Sequence, residues 1–341
     1  MTRQILISLL LLLPFTAHAA DWMARLDGHT RVCRLLIPGT HDAATGEGFV
    51  PSDTLVGGII AQTQDMTIAQ QWQAGVRAFD LRPAVRTDAD GTESLHLYHG
   101  EFATTRSFDS VLQQLADSVT AHPSEFAVIV MRHESSPSRH EDNWAQLMQQ
   151  SLRKQGSVLA AFRPDLTVDD LRGHILLISR NTYADVPRGG YAGGWCHTKR
   201  LADQTKAWIK GQTPADSARL MVQDFYDTSL PGGVGDKCKA IKAMFKKKKS
   251  TDREAPDATV WCINHASGYS LTVSGVTAEP LSLSRGYRDN AAHTNAFVLK
   301  CLRSMPSLSG IVLMDYAATD RSCGFDVMGK TLVERLIEHN F

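Results

Sequence analysis

Eight short apolar runs, at residues 34–37, 76–81, 94–98, 126–131, 175–179, 220–223, 259–263 and 311–314, constrain what this chain can fold into. Most are nearly continuous in apolar residues rather than alternating. That suits strands buried on both faces, as in a parallel sheet. Helical patterns fall at 67–74, 107–121, 143–154, 202–210, 291–303 and 331–340. Strands alternating with helices imply βα units, and eight of them predict a single (β/α)8 TIM-type barrel of the α/β class. The ten residues from Ala84 to Glu93 are polar turn chemistry with no room for a crossover helix, so the barrel is expected to be irregular. The segment 232–256 is the most polar and reads as a long excursion.

Residues 1–19 stand apart. Arg3, the apolar stretch from Ile5 to Leu13 and Ala17-His18-Ala19 read as a secretory signal peptide with a small-x-small cleavage site. The apolar core is too short to cross a bilayer. Residues 20–341 are expected to form one barrel domain, exported to the periplasm or beyond. The 36 basic and 36 acidic residues balance, so the molecule as a whole is not built for polyanions such as nucleic acid. Six cysteines, Cys33, Cys196, Cys238, Cys262, Cys301 and Cys323, make no C-x-x-C pair. In an exported chain they predict at least one disulfide, with Cys33 and Cys262 read as buried thiols.

In such a barrel the chemistry gathers at the C-terminal strand ends. Here Pro38-Gly39 is expected to stop the first strand, and His41-Asp42 follow. The later runs meet Asp80-Leu81-Arg82, Tyr98-His99-Gly100, Arg132-His133-Glu134, Arg180, Asp224-Phe225-Tyr226, Asn264-His265 and Asp315-Tyr316. Singly, each is explained by an ion pair or a helix cap. Jointly they predict an active site. A neutral histidine can take a proton while a charged one gives one. An arginine offers a phosphate a planar fork of donors. Carboxylates orient the imidazoles. This is equipment for acid–base displacement at a phosphodiester without a metal.

The motifs Leu36-Ile37-Pro38-Gly39-Thr40-His41-Asp42, Gly75-Val76-Arg77-Ala78-Phe79-Asp80-Leu81-Arg82, Leu97-Tyr98-His99-Gly100 and Val128-Ile129-Val130-Met131-Arg132-His133-Glu134 together resemble the bacterial phosphatidylinositol-specific phospholipase C X-domain family. The resemblance implies cleavage of phosphatidylinositol, or a GPI-type lipid, to diacylglycerol and a cyclic inositol phosphate. It implies His41 as base, His99 as acid, Arg82 on the phosphate, Asp315 behind His41 and Asp42 beside His99. Asp80, Arg132, Glu134, Arg180, Asp224 and Tyr226 would bind substrate. Calcium-using members carry a carboxylate where Arg82 stands, so no metal cofactor is expected. His197 departs from the family pattern, which expects an aspartate two residues after the loop tryptophan. Lys246, Lys247, Lys248 and Lys249 are a candidate contact with anionic lipid. The protein is expected to act as a monomer. The rivals are a metal-dependent phosphodiesterase on the same barrel, acting on another phospholipid or a glycerophosphodiester, and a non-enzymatic inositol- or membrane-binding protein.

Overall fold

A computed structural model describes residues 20–195, 206–228, 233–269 and 286–341. The expected leader and His197 lie outside the described residues. Nine strands close a barrel: β1 (Leu36–Thr40), β2 (Ala78–Leu81), β3 (Ala127–Met131), β4 (Ile175–Ser179), β5 (Gly190–Gly193), β6 (Ala207–Lys210), β7 (Ser217–Gln223), β8 (Val260–His265) and β9 (Gly310–Met314). β9 pairs back onto β1, with Leu36 opposite Gly310. All neighbours are parallel except β6, which runs antiparallel to both β5 and β7. Helices α1 (Thr54–Ile60), α2 (Ile68–Gln73), α3 (Phe108–Ala121), α4 (Trp144–Lys154), α5 (Val168–Leu171), α6 (Gly233–Glu254), α7 (Tyr287–Ser304) and α8 (Gly329–Glu338) accompany the strands. β1, β2, β3, β4, β8 and β9 are buried at every residue, as their apolar composition requires.

Five expectations differ from the structure. The run at 94–98 is not a barrel strand. It is the middle of a three-stranded antiparallel sheet formed by Pro83–Thr87, Glu93–His99 and Phe102–Ser107. The polar turn that left no room for a crossover helix is a hairpin connection. The described part of the pattern at 202–210 is a strand: Ala207–Lys210 is β6, with Ala207 and Ile209 buried and Lys210 exposed, the period of a strand. The segment at 232–256 is the 22-residue helix α6, whose inner face carries Ile241, Met244 and Phe245. Pro38-Gly39 does not stop β1. The strand runs through it because a Cβ on Gly39 would lie 2.7 Å from Leu313 and 2.9 Å from Ala78. Only glycine lets β1 fit between β9 and β2 there. Finally, the five described cysteines are all free thiols, with Cys33, Cys262 and Cys301 buried, so the expected disulfide is absent among them. Cys196 lies outside the described residues.

Candidate active site

The turn after β1 carries the first two polar side chains. His41 N–H donates to the Met314 carbonyl at 3.0 Å, continuing the β1–β9 ladder. Gln64 clamps both strands, its amide donating to the carbonyls of His41 at 2.8 Å and Met314 at 3.0 Å. Asp42 then adopts a left-handed backbone, φ 44°, which aspartate tolerates better than most residues. Met314 and Gln64 thus hold the His41 backbone where the imidazole leaves the barrel.

His41 Nδ1 lies 2.8 Å from Asp315 Oδ1. With Nδ1–H donating to that carboxylate, the Nε2 lone pair faces the cavity, 2.8 Å from Arg82 Nη2 and 3.1 Å from Asp42 Oδ2. Asp42 also stands 3.3 Å from His99 Nε2. One carboxylate therefore lies between the two imidazoles, whose ring centroids are 6.0 Å apart. His99 ends the middle strand of the side sheet, and Gly100 follows in a positive-φ turn, φ 59°. His99 Nδ1 lies 2.6 Å from the Ala61 carbonyl at the end of α1. A carbonyl only accepts, so this contact puts the proton on Nδ1 and leaves Nε2 bare.

Arg82 is buried among carboxylates. Its Nε lies 2.9 Å from Asp42, its Nη2 3.1 Å from Asp80 and its Nη1 3.7 Å from Glu134. Arg132 reaches Glu134 at 3.7 Å. His41, Asp42 and Asp80 could together offer ligand atoms to a metal ion. The Arg82 guanidinium already contacts all three, within 3.1 Å at most, so a cation there would have to displace it.

A second polar group lies around the mouth, on the ends of β4 and β7. Arg180 Nη1 is 3.7 Å from Asp224, and its guanidinium lies 4.3 Å over the Trp195 ring. Trp195 donates to Asp224 at 2.9 Å. Tyr226, two residues on, joins the chain to Tyr269 through its carbonyl. The structure thus brings His41, Asp42, Asp80, Arg82, His99, Glu134 and Asp315 into one contacting set, and Arg132 meets that set through Glu134. Arg180 and Asp224 form a neighbouring set, joined to it by His265. The His265 ring lies 5.9 Å from His41 and 6.0 Å from Trp195. His133 faces elsewhere, stacked on Trp144 at 4.1 Å and paired with Glu141 at 2.9 Å.

One site residue had no signal in sequence. Tyr287, in the first turn of α7, places its hydroxyl 3.0 Å from His99 Nε2. It precedes the helical pattern at 291–303 and adjoins no motif.

Desolvation governs the titration of the site. Burial, then the Arg82 guanidinium, hold His41 well below the ordinary histidine range. The same two causes push His99 down to about 4. Burial pushes the Asp42 carboxyl up against the pull of Arg82. Burial also opposes the charged form of Asp224, but His265 and Arg180 outweigh it and hold that carboxyl well below its usual range. Burial and Arg82 thus favour the neutral form of both imidazoles.

The lysine cluster is not at this mouth. Lys248 is buried, not available to lipid: its ammonium binds Asp252 at 2.6 Å, Ser309 at 2.9 Å and the Cys33 carbonyl at 3.2 Å. Cys33 and Ser309 precede β1 and β9, so this end of α6 lies at the barrel floor. Lys246 and Lys247 are exposed there too. The apolar exposure near the mouth belongs instead to α1, where Leu55 is 77% and Val56 49% exposed.

A family model described as "Phosphatidylinositol-specific phospholipase C, X domain" matches residues 52–181, a stretch that holds Arg82, His99, Glu134 and Arg180 but begins after His41. The 1-phosphatidylinositol phosphodiesterase of Listeria monocytogenes is 25% identical over 304 residues, covering 87% of this chain and 80% of its own length. The protein of the same name from Staphylococcus aureus (strain Newman) is 26% identical over 318 residues, covering 89% and 92%. The solved structure of phosphatidylinositol-specific phospholipase C from Listeria monocytogenes aligns with a TM-score of 0.67 at 22% identity, over 95% of this chain and 99% of that one. A Staphylococcus aureus phosphatidylinositol-specific phospholipase C carrying pentafluoro-Phe aligns at 0.70 with 21% identity, over 96% and 99%. The barrel is shared with both.

Proposed function

We propose, from the premise that this chain belongs to the phosphatidylinositol-specific phospholipase C X-domain family, that it is an exported phospholipase C cleaving phosphatidylinositol by paired histidine acid–base catalysis. The observation that carries the reading is the contact of His41, Arg82 and His99 with one shared carboxylate, Asp42. The relatives are named for cleavage of phosphatidylinositol.

His41 Nε2 takes the proton of the inositol 2-hydroxyl. That oxygen attacks phosphorus, and the bond to the glycerol oxygen breaks. His99 Nε2 gives the leaving oxygen its proton, so diacylglycerol departs and a cyclic inositol phosphate remains. Arg82 neutralises charge on the phosphoryl oxygens. Asp315 holds the His41 tautomer and steadies its charged form. Arg180, Asp224, Arg132 and Glu134 bind headgroup hydroxyls, Asp80 aligns Arg82, and Tyr226 lies beside Asp224. Residues 20–341 act as one catalytic unit after removal of residues 1–19.

The test is phosphorus NMR of the mature protein with phosphatidylinositol micelles, with and without EDTA. The expected result is a cyclic phosphodiester signal that persists in EDTA. Loss of the signal in EDTA would replace this mechanism by a metal-assisted one, and absence of cyclic product in both would remove the proposed activity.

The pH profile follows from the two imidazoles. His41 must be neutral, and its lowered pKa keeps it so well into the acid range. His99 must be charged, and with a pKa near 4 its charged fraction grows as pH falls. The profile of kcat/KM, which reports the free enzyme, should therefore rise from pH 8 downward and peak below pH 7. A peak on the alkaline side would contradict the assignment.

Lipid meets the protein at α1 in this reading. Ala61, which ends α1, holds His99, so the exposed Leu55 and Val56 stand on the helix that leads to the acid. Burying one such side chain in lipid contributes about 1.5–3 kcal/mol, or about ten- to hundredfold in affinity. Leu55→Asp should lower activity on vesicles by that factor and leave a water-soluble inositol phosphodiester unaffected. Equal losses on both substrates would place α1 outside the membrane contact.

A further inference from the structure

The mechanism above leaves a tyrosine of the site unused. Tyr287 opens α7, an 18-residue helix, and its ring packs at 4.9 Å from Tyr269. Its ring centroid lies 6.0 Å from that of His41 and 5.4 Å from that of His99. Its hydroxyl is 3.0 Å from His99 Nε2. Because the Ala61 carbonyl takes the Nδ1 proton of His99, the phenol is the donor and Nε2 the acceptor.

A phosphodiester that loses a proton to His41 Nε2 and gains one from His99 Nε2 must place its phosphorus between those nitrogens. Among the described residues, Tyr287 is the side chain whose ring neighbours both histidines at that position. For His99 to act as an acid, Nε2 must carry the proton and point it at the leaving oxygen. The phenol can then no longer donate to Nε2. A half-buried O–H that loses its acceptor turns to the next strong one within reach, and here that is an oxygen of the incoming phosphate.

We propose that Tyr287 is a further catalytic residue: when a phosphodiester enters, its hydroxyl exchanges His99 Nε2 for a nonbridging phosphoryl oxygen and donates to it alongside Arg82. No covalent bond is made or broken by the exchange, and no proton leaves the phenol. Burial, then the nearby Asp42 and Asp315 carboxylates, hold the phenol well above its ordinary range, so it remains a donor at every working pH. The assignment rests on the proposed phospholipase reaction.

The test is Tyr287→Phe, which keeps the ring in its packing and removes only the hydroxyl. Loss of one preorganised donor to a developing oxyanion costs about 10²–10³ in kcat. The variant should lose at least about tenfold in kcat on phosphatidylinositol, with KM changed by less than about threefold. The same loss should appear with the p-nitrophenyl ester of inositol 1-phosphate, whose leaving group needs no acid. A kcat within about twofold of wild type, or a loss confined to the lipid substrate, would overturn the assignment, the latter by showing that Tyr287 acts only through His99. Calorimetric titration with inositol 1,2-cyclic phosphate gives a readout without turnover. Tyr287→Phe should bind it more weakly than wild type, and equal affinity would count against the phosphate contact. A wild-type protein that neither cleaves the lipid nor binds the cyclic phosphate would overturn the phospholipase reading itself. Wild-type activity with an indifferent Tyr287→Phe would overturn only the role of Tyr287.

Discussion

His41→Ala is expected to lower turnover of phosphatidylinositol by about 10³–10⁴-fold, toward the upper end of what a positioned proton acceptor contributes. The imidazole is placed by its backbone as much as by its ring. Gln64 and Thr63 donate to its carbonyl, and Asp315 fixes its tautomer. The side chain can therefore be removed without loosening the turn that carries it. The cost to the fold is Asp315, fully buried and left with the Gly268 N–H at 3.3 Å. An unsatisfied buried acceptor costs about 1–3 kcal/mol, a loss that most folded domains survive. Far-ultraviolet circular dichroism and a melting curve would verify the fold, and initial rates would give the loss. His99→Ala should lose as much on the lipid but far less on an aryl leaving group, because such an anion departs unprotonated. Near-wild-type turnover in His41→Ala would sink the acid–base reading.

Arg82 carries the second large effect, and it falls on both stability and rate. The guanidinium bridges Asp42 and Asp80 and approaches Glu134, all of them buried. Removing one member of such a set leaves charges in low dielectric with no partner, a cost of about 3–5 kcal/mol. Arg82→Ala should thus melt far below the wild type at pH 7. Arg82→Lys separates the two effects. An ammonium keeps the charge but not the planar fork. This variant should fold, yet lose about 10²–10³ in kcat through poorer phosphoryl stabilisation. Urea denaturation of both variants, with kinetics on Arg82→Lys, would check the pair. A lysine variant with unimpaired kcat would remove Arg82 from the chemistry and leave it a structural ion.

The reach of the sequence reading can be judged on particular residues. His41, Arg82 and Asp315 were legible because each follows a short apolar run, and the ends of such runs point one way in a βα architecture. The motif at residues 97–100 was legible for a different reason. The strand-end rule counted it among the barrel ends, but its strand lies outside the barrel, so the likeness to a family motif is what supports it. β5 escaped notice because Gly190–Gly193 has too little apolar side chain to register as a run. β6 read as a helix because four residues are too few to separate the two periods. The lysines of α6 looked like one solvated charge run, yet Lys237 and Lys248 are fully buried while Lys246 and Lys247 are exposed. Which of them turn inward depends on helix phase against the barrel, a quantity fixed by packing.

The sequence by itself determined the alternation of buried strands and helices and the polar residues at the strand ends. Both follow from local chemistry, since apolar runs must leave water and titratable groups must not be trapped inside a core without partners. Only the tertiary structure decided that β6 reverses, that the side sheet delivers His99, that Asp42 stands between two imidazoles, and that Tyr287 reaches across from α7. Those are contacts between segments far apart in the chain, 188 residues in the case of Tyr287 and His99. Their geometry is set by how the barrel closes, which no local pattern encodes.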